Sequence, residues 1–403
     1  MKRSLIVLLC TINLVSYAQQ SKAKPVSTGQ KTAVNSAKPI PAAVALQYDE
    51  IKPYTEDWAA FKTGNKWGFV DRQGRVVVEP LYDFEPYVKF GLVHVGIGFQ
   101  KNAKIFDKTG NLRIDSSPYY HLNGFTDSLY TTACTFGDGA KGIKPERFIL
   151  DRSGNIISKI ENEGTYSGSV YCSQSPHEGR IWFCTKESYK QNGFLDIASI
   201  PVISPKYIQV KDFSDNRAWV KKKFNTGEEF WGAIDRNGLE IVPFTYKDEP
   251  KRDFVLDRCF AWMGDYYILI DNFGKQLSPL KFKGAANFTS ADATIARIEE
   301  NYEQISLIID YNGNVIKRFD KPVSGEQIFL KSGFNNGLAT ATLGPFGKMG
   351  AIDKTGKTVI PFEFESIDAF SCERAIASKY DKTGKLIEGT IDLQGNFVIV
   401  KAQ

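Results

Sequence analysis

An all-β fold is what the sequence predicts: tandem antiparallel β-hairpin units of about 40 residues, forming a β-solenoid or a propeller-like array. Three observations carry the prediction. An Asp-x-x-Gly element recurs along the chain, the runs on either side of it are apolar and β-branched, and those runs are too short for helices.

The recurring element occurs at Asp71 to Gly74, Asp107 to Gly110, Asp151 to Gly154, Asp235 to Gly238, Asp271 to Gly274, Asp310 to Gly313, Asp353 to Gly356 and Asp392 to Gly395. A ninth copy, around Asp196, lacks its glycine. Successive aspartates are 36, 44, 45, 39, 36, 39, 43 and 39 residues apart, so one module has been duplicated about nine times. The Asp carboxylate is expected to accept from backbone N–H groups one to three residues ahead. Glycine supplies a positive φ without a Cβ clash, and the chain reverses.

The strand before each reversal is apolar on both faces, as in Trp67-Gly68-Phe69-Val70 and Trp231-Gly232-Ala233-Ile234. Such strands belong inside a packed sheet. The strand after it is β-branched and often reaches a proline, as in Val76-Val77-Val78-Glu79-Pro80, Ile241-Val242-Pro243 and Val359-Ile360-Pro361. Proline lacks the donor that a central ladder needs, and the strand is expected to stop there. An aromatic segment follows (Tyr82-Asp83-Phe84, Tyr207 to Phe213, Phe364 to Phe370) and leads into a short strand such as Arg217-Ala218-Trp219-Val220. Residues 290–304 have a capping residue and a helix-favouring composition, but their place in the unit calls for a hairpin of Thr294 to Ile298 with Gln304 to Asp310. Tyr48-Asp49-Glu50-Ile51 matches the aromatic segment and the chain ends just after Phe397-Val398-Ile399-Val400, giving a whole number of units. A whole number suits a ring and an open array equally.

Before the repeats, Lys2-Arg3, an apolar run from Leu5 to Val15 and Ser16-Tyr17-Ala18 read as a signal peptide, residues 1–18. Cys10 follows Leu8-Leu9, where a lipid-anchor signal needs a small residue. Residues 19–46 are rich in Lys, Ala, Ser, Pro and Thr, contain no aromatic, and read as a flexible linker to the repeat domain at 47–403. The net charge of +5 resides in this leader and linker: removing Lys2, Arg3, Lys22, Lys24, Lys31 and Lys38 leaves 5 − 6 = −1. No field for nucleic acid is expected from so neutral a body. Outside the leader, no apolar run reaches the length that crosses a bilayer.

Five cysteines lie beyond the leader, at 134, 172, 184, 259 and 372, without metal spacing. Cys172 and Cys184 flank Ser175-Pro176-His177-Glu178-Gly179, so a cross-strand disulfide is conceivable beside the alternative of buried thiols. His94, His121 and His177 fall in different units and indicate neither a metal centre nor a catalytic base. Gly137-Asp138-Gly139-Ala140-Lys141-Gly142 has dinucleotide-type spacing but is followed by a strand, and Gly356-Lys357-Thr358 belongs to a repeat turn. The repeated aspartates offer too few oxygens for calcium and sit in identical roles, unlike a catalytic pair. No catalytic residue, cofactor or metal is expected. Trp58, Trp182 and Trp262 fall off the Trp-Gly position and are the candidates for a binding face that stacks on a partner.

Lys66-Trp67-Gly68-Phe69-Val70-Asp71-Arg72-Gln73-Gly74 resembles the signature of the WG-repeat (KWG) proteins, a bacterial family of tandem β-hairpin units. Phe230-Trp231-Gly232-Ala233-Ile234-Asp235 and Lys348-Met349-Gly350-Ala351-Ile352-Asp353 are similar to it. The resemblance implies repeat scaffolding and interaction, with Trp67, Gly68, Trp231, Gly232, Met349 and Gly350 as repeat core, and it brings no active site. The expectation is an exported, non-catalytic scaffold of the periplasm, cell surface or medium that binds a protein or a cell-envelope polymer. The alternative is a propeller-type hydrolase or lectin acting on envelope glycans.

Overall fold

Each Asp-x-x-Gly reversal, with short apolar strands on both sides, can build a small sheet but cannot cover its faces. A computed structural model describes residues 42–97, 103–137, 141, 146–160, 175–184, 191–320 and 326–402, in which these units form nine antiparallel sheets. We number them in chain order, with spans 50–82, 87–115, 121–160, 181–207, 209–246, 258–271, 284–319, 328–364 and 366–401. Sheet 1 shows the plan: Glu50–Ile51, Trp58–Thr63, Lys66–Asp71 and Val76–Tyr82 pair in sequence order. Two of the aromatic segments supply the first strand of the following sheet, Gln209–Val210 and Ser366–Ile367. Residues 293–310 form the hairpin that their place in the repeat calls for, Ala293–Glu300 against Glu303–Asp310.

The aspartate turns are more specific than expected. Oδ1 of Asp71 accepts from the N–H groups of Gln73 and Arg75, two and four residues ahead, each at 2.9 Å. The same pair of bonds recurs at Asp107, Asp151, Asp196, Asp235, Asp271, Asp310, Asp353 and Asp392. The glycine at the third position after each Asp has φ near +83 to +90°. Where the glycine is missing, Ser199 takes up φ 64° and the Asp196 turn survives.

The strands do not stop at proline. Val76–Tyr82 runs through Pro80, Glu240–Tyr246 through Pro243 and Thr358–Phe364 through Pro361. These are the last strands of their sheets, where a missing donor costs no ladder bond. The proline lies in a bulge: Trp67 pairs with Tyr82 and Phe69 with Val78, leaving Gly68 under the extra residues. A Cβ on Gly68 would stand 2.4 Å from the Val78 carbonyl oxygen, and one on Gly350 2.5 Å from that of Ile360. This close approach accounts for glycine in the Trp-Gly pair.

The array closes into a ring. Val44–Leu46, the end of the segment read as linker, add in parallel to Phe397–Lys401, joining the start of the chain to sheet 9. Linker-like composition did not prevent this strand because a strand edge was there to receive it. Nine hydrophobic clusters occupy the nine boundaries between successive sheets, the last filled by Ile376 and Ile399 of sheet 9 with Tyr48, Ile51, Tyr54 and Phe61 at sheet 1. One latch also repeats across boundaries. Arg180, Arg217 and Arg258 each donate to the carbonyl of the residue after the next sheet's turn Asp, at Arg236, Asn272 and Tyr311, over 3.0 to 3.2 Å. Arg374 makes the same bond to Arg72, from sheet 9 to sheet 1, at 3.0 Å.

Two outcomes follow from the turns. Gly110→Ala introduces only left-handed strain, with no atom within 4 Å of the new Cβ, and should cost about 1–2 kcal/mol. Gly68→Ala carries no left-handed strain but must displace the backbone of Val78 to Pro80, so its urea midpoint should fall further than that of Gly110→Ala; equal midpoints would contradict the bulge explanation. For acid, burial alone would raise Asp71, Asp151 and Asp310, but donated hydrogen bonds outweigh it, and the Thr355 hydroxyl leads the lowering at Asp353. Folded values below the unfolded ones mean stability that is full above about pH 4 and lost as pH falls through the lowered values. The urea midpoint should begin to fall below about pH 6.5, where the unfolded chain protonates His94 and the fold does not, and fall further below about pH 4 as the turn aspartates protonate; a midpoint unchanged at pH 3 would exclude this linkage.

Candidate functional site

A second reversal precedes the second strand of most sheets. Thr55 and Trp58 exchange backbone hydrogen bonds around Glu56 and Asp57, whose φ values are 48° and 73°. The same left-handed pair recurs at Phe90-Gly91, Glu178-Gly179, Asp215-Asn216, Leu256-Asp257, Asn336-Gly337 and Cys372-Glu373. This is the geometry of a two-residue hairpin turn with positive φ at both centres. Its trace in the sequence is an Asn, Asp, Glu or Gly directly before Arg, as in Asp215-Asn216-Arg217, but Trp58, Leu92 and Leu338 stand in place of that Arg at three turns.

These turns are chained around the ring. The first centre of one accepts from an N–H of the next: Glu56 from Gly91 at 2.6 Å, Glu178 from Asn216 at 2.8 Å, Asp215 from Asp257, and Asn336 from Glu373 at 3.1 Å. Asp127 accepts from Gly179 at 3.3 Å. Across the closure the acceptor is Cys372 Sγ, 3.3 Å from the Asp57 nitrogen.

Against this chain of turns lie three adjoining hollows of about 740, 720 and 580 Å³, and all three are lined by Trp182. Together they form a groove. Phe90, from sheet 2, and Asp253, just before sheet 6, line the same hollow, so the groove lies where successive sheets converge. At its middle His177 Nε2 is 3.3 Å from Asp212 Oδ2, and at one end Lys211 pairs with Glu249 at 3.1 Å. Asp127 and Glu178 also line it, with oxygens engaged by the backbone of the neighbouring turns.

Of the three candidate tryptophans, only Trp182 reaches the groove. Trp58 packs on Phe69 in sheet 1, ring centres 5.4 Å apart, under Lys108. Trp262, in sheet 6, lies between Lys251, 3.7 Å from its ring centre, and Tyr267 at 4.7 Å. The three occupy different positions of the repeat in three non-adjacent sheets, and the structure does not bring them together. Trp67 and Trp231 are buried core, and Met349 packs at the boundary of sheets 8 and 9.

The histidines are likewise apart. Burial lowers His94 to about 4 and keeps it neutral, stacked on Tyr87 at 4.6 Å, while His121 meets Asn123 Oδ1 at 2.9 Å. Cys184 is buried; Cys172 lies outside the described residues, as do the leader and residues 138–140 and 142 of the glycine-rich motif. That motif connects the antiparallel strands Tyr130–Cys134 and Arg147–Asp151. Among the described residues, no three His, Cys, Asp or Glu side chains group as a metal site, and no helix is long and apolar enough to cross a membrane.

The repeat now has its Trp-Gly bulge, its aspartate turn and its boundary core in place. The family model for the WG containing repeat matches residues 43–67, 67–84, 200–223 and 349–382. The chain thus carries WG-containing repeats at four places. Sheets 2, 3 and 7, outside these matches, keep the four-strand plan. No curated protein matches it. Among solved structures, KlHsv2 with loop 6CD replaced by a Gly-Ser linker is 8% identical, covering 75% of this chain and 95% of that one, with a TM-score of 0.29. A structure from a study of two prolyl endopeptidases is 10% identical, covering 85% of this chain and 54% of that one, with a TM-score of 0.33. Scores this low bear on neither activity nor ligand.

Proposed function

We propose that this protein is an exported, non-catalytic scaffold that holds a protein or a cell-envelope polymer in the groove at Trp182. The observation that carries the reading is the commitment of two of the groove's carboxylates. Asp127 and Glu178 bind neighbouring turns through backbone N–H groups, which suits a rigid recognition surface better than acid–base chemistry. Trp182 adds a partly buried indole of the kind that dominates binding energies. The leader at residues 1–18 supports export.

The test is retention of the purified mature protein on native envelope material. Trp182→Ala should weaken retention by about tenfold or more, equivalent to about 1.4 kcal/mol. Trp58→Ala and Trp262→Ala should leave it within twofold. Turnover of envelope glycan without stable retention would favour the hydrolase alternative and overturn the proposal.

A further inference from the structure

The hollow of about 740 Å³ lies where one repeat carries asparagine at the position that two other repeats fill with a core tryptophan. Trp67, Asn192, Trp231 and Met349 occupy one position, each followed by glycine and each paired with an aromatic across the bulge: Tyr82, Tyr207, Tyr246 and Phe364. Gly193 keeps the close approach of the repeat, its Cβ position lying 2.3 Å from the Ile203 carbonyl oxygen. At this position Trp67 fills the boundary toward sheet 2 and Trp231 the boundary toward sheet 6. Asn192 faces sheet 5 and leaves the space open. The result is the hollow of about 740 Å³ lined by Trp182, Cys184, Asn192, Gln209, Lys211 and Trp231, among others. That volume lies within the range of small-ligand sites.

Its lining has a definite chemistry. Asn192 is nine-tenths buried, and its Nδ2 donates to the carbonyls of Tyr207 and Ile208 at 3.2 and 3.1 Å. Its Oδ1 remains as an acceptor, with no donor to it among the described residues, so a ligand that fills the hollow must bring one. Trp182 offers a ring wall, Gln209 an exposed amide, and the charges of Lys211 and Glu249 offset each other across 3.1 Å. A flat C–H face with hydroxyl donors at its edge and no net charge satisfies all of these. A peptide would instead seek paired backbone donors and acceptors along a free strand edge, whereas side chains dominate this wall.

We propose that the hollow beside Asn192 binds an uncharged pyranose ring, one unit of a polysaccharide, stacked on Trp182 with a hydroxyl donating to Asn192 Oδ1. The proposal rests on the groove reading above and narrows it to a glycan.

The experiment titrates the mature protein with soluble oligomers of glucose, mannose and N-acetylglucosamine, followed by indole fluorescence and calorimetry. At least one should saturate the wild type. Asn192→Trp restores the residue that sister repeats carry, so it should keep the melting temperature and weaken binding by at least tenfold. Gln209→Ala, at an exposed position, should weaken it severalfold without affecting folding and serves if Asn192→Trp unfolds. Trp58→Ala should bind as wild type. Failure of every oligomer to saturate, unchanged binding by a folded Asn192→Trp, or saturation by peptides in their place would each overturn the proposal. Envelope retention that survives in Asn192→Trp would remove the pyranose site alone, whereas wild-type protein that is not retained would remove the scaffold reading.

Discussion

Every sheet in this molecule has two apolar flanks and too few residues to cover them itself. Val70, Ala59 and Phe61 of sheet 1 become buried only because Ile399 and its neighbours arrive from the other end of the chain, while Trp67 and Phe69 need Val88 and Val93 of sheet 2. Burial of this kind contributes about 1.5–3 kcal/mol per large side chain relative to exposure. In an open row the two terminal flanks would remain in water. The ring removes both ends: the parallel strand at Val44–Leu46 joins sheet 9, and the Arg374 latch gives the ninth boundary the bond that Arg180, Arg217 and Arg258 make at three others. Stability is therefore a property of neighbouring pairs, as in repeat arrays, but with no first or last member.

Given that constraint, the turns have two tasks. The aspartate turns reverse the chain within a sheet and can be read directly, because an Asp carboxylate and a positive-φ glycine leave a fixed spacing. The left-handed pairs before the second strands hold one sheet to the next, and their signature is loose because several residue types tolerate the geometry when a neighbour's N–H is the reward. Glu56, Asp215, Asn336 and Cys372 do the same work at equivalent places. Of the chained acceptors, Asp127 and Glu178 line the groove.

The all-β class, the number of units and the hairpin at residues 293–310 were legible from local residue patterns. The closure was not, since it joins Ala45 to Val400 across nearly the whole chain and depends on a short strand of linker-like composition. The fate of proline was misread because an edge strand and a central strand look alike in sequence; only the bulge opposite Gly68 distinguishes them. The groove was half legible. Trp182 stood out as an indole off the repeat position, but the side chains around it come from successive sheets, and the hollow owes its size to Asn192, a residue that attracts notice only when superposed on Trp67 and Trp231.

Ring closure is the premise on which the converging groove and its ligand reading both rest. The most direct measurement is native-state hydrogen exchange of the two chain ends, where Leu46 accepts from the Ala402 N–H at 2.8 Å and residues 44–46 pair with 399–401. A closed ring predicts protection of Ala402 and the paired amides of residues 44–46 and 399–401 comparable to that of interior strands such as Glu229–Asp235. Complete exchange of both ends within seconds, while the interior strands stay protected, would show an open array and contradict the account.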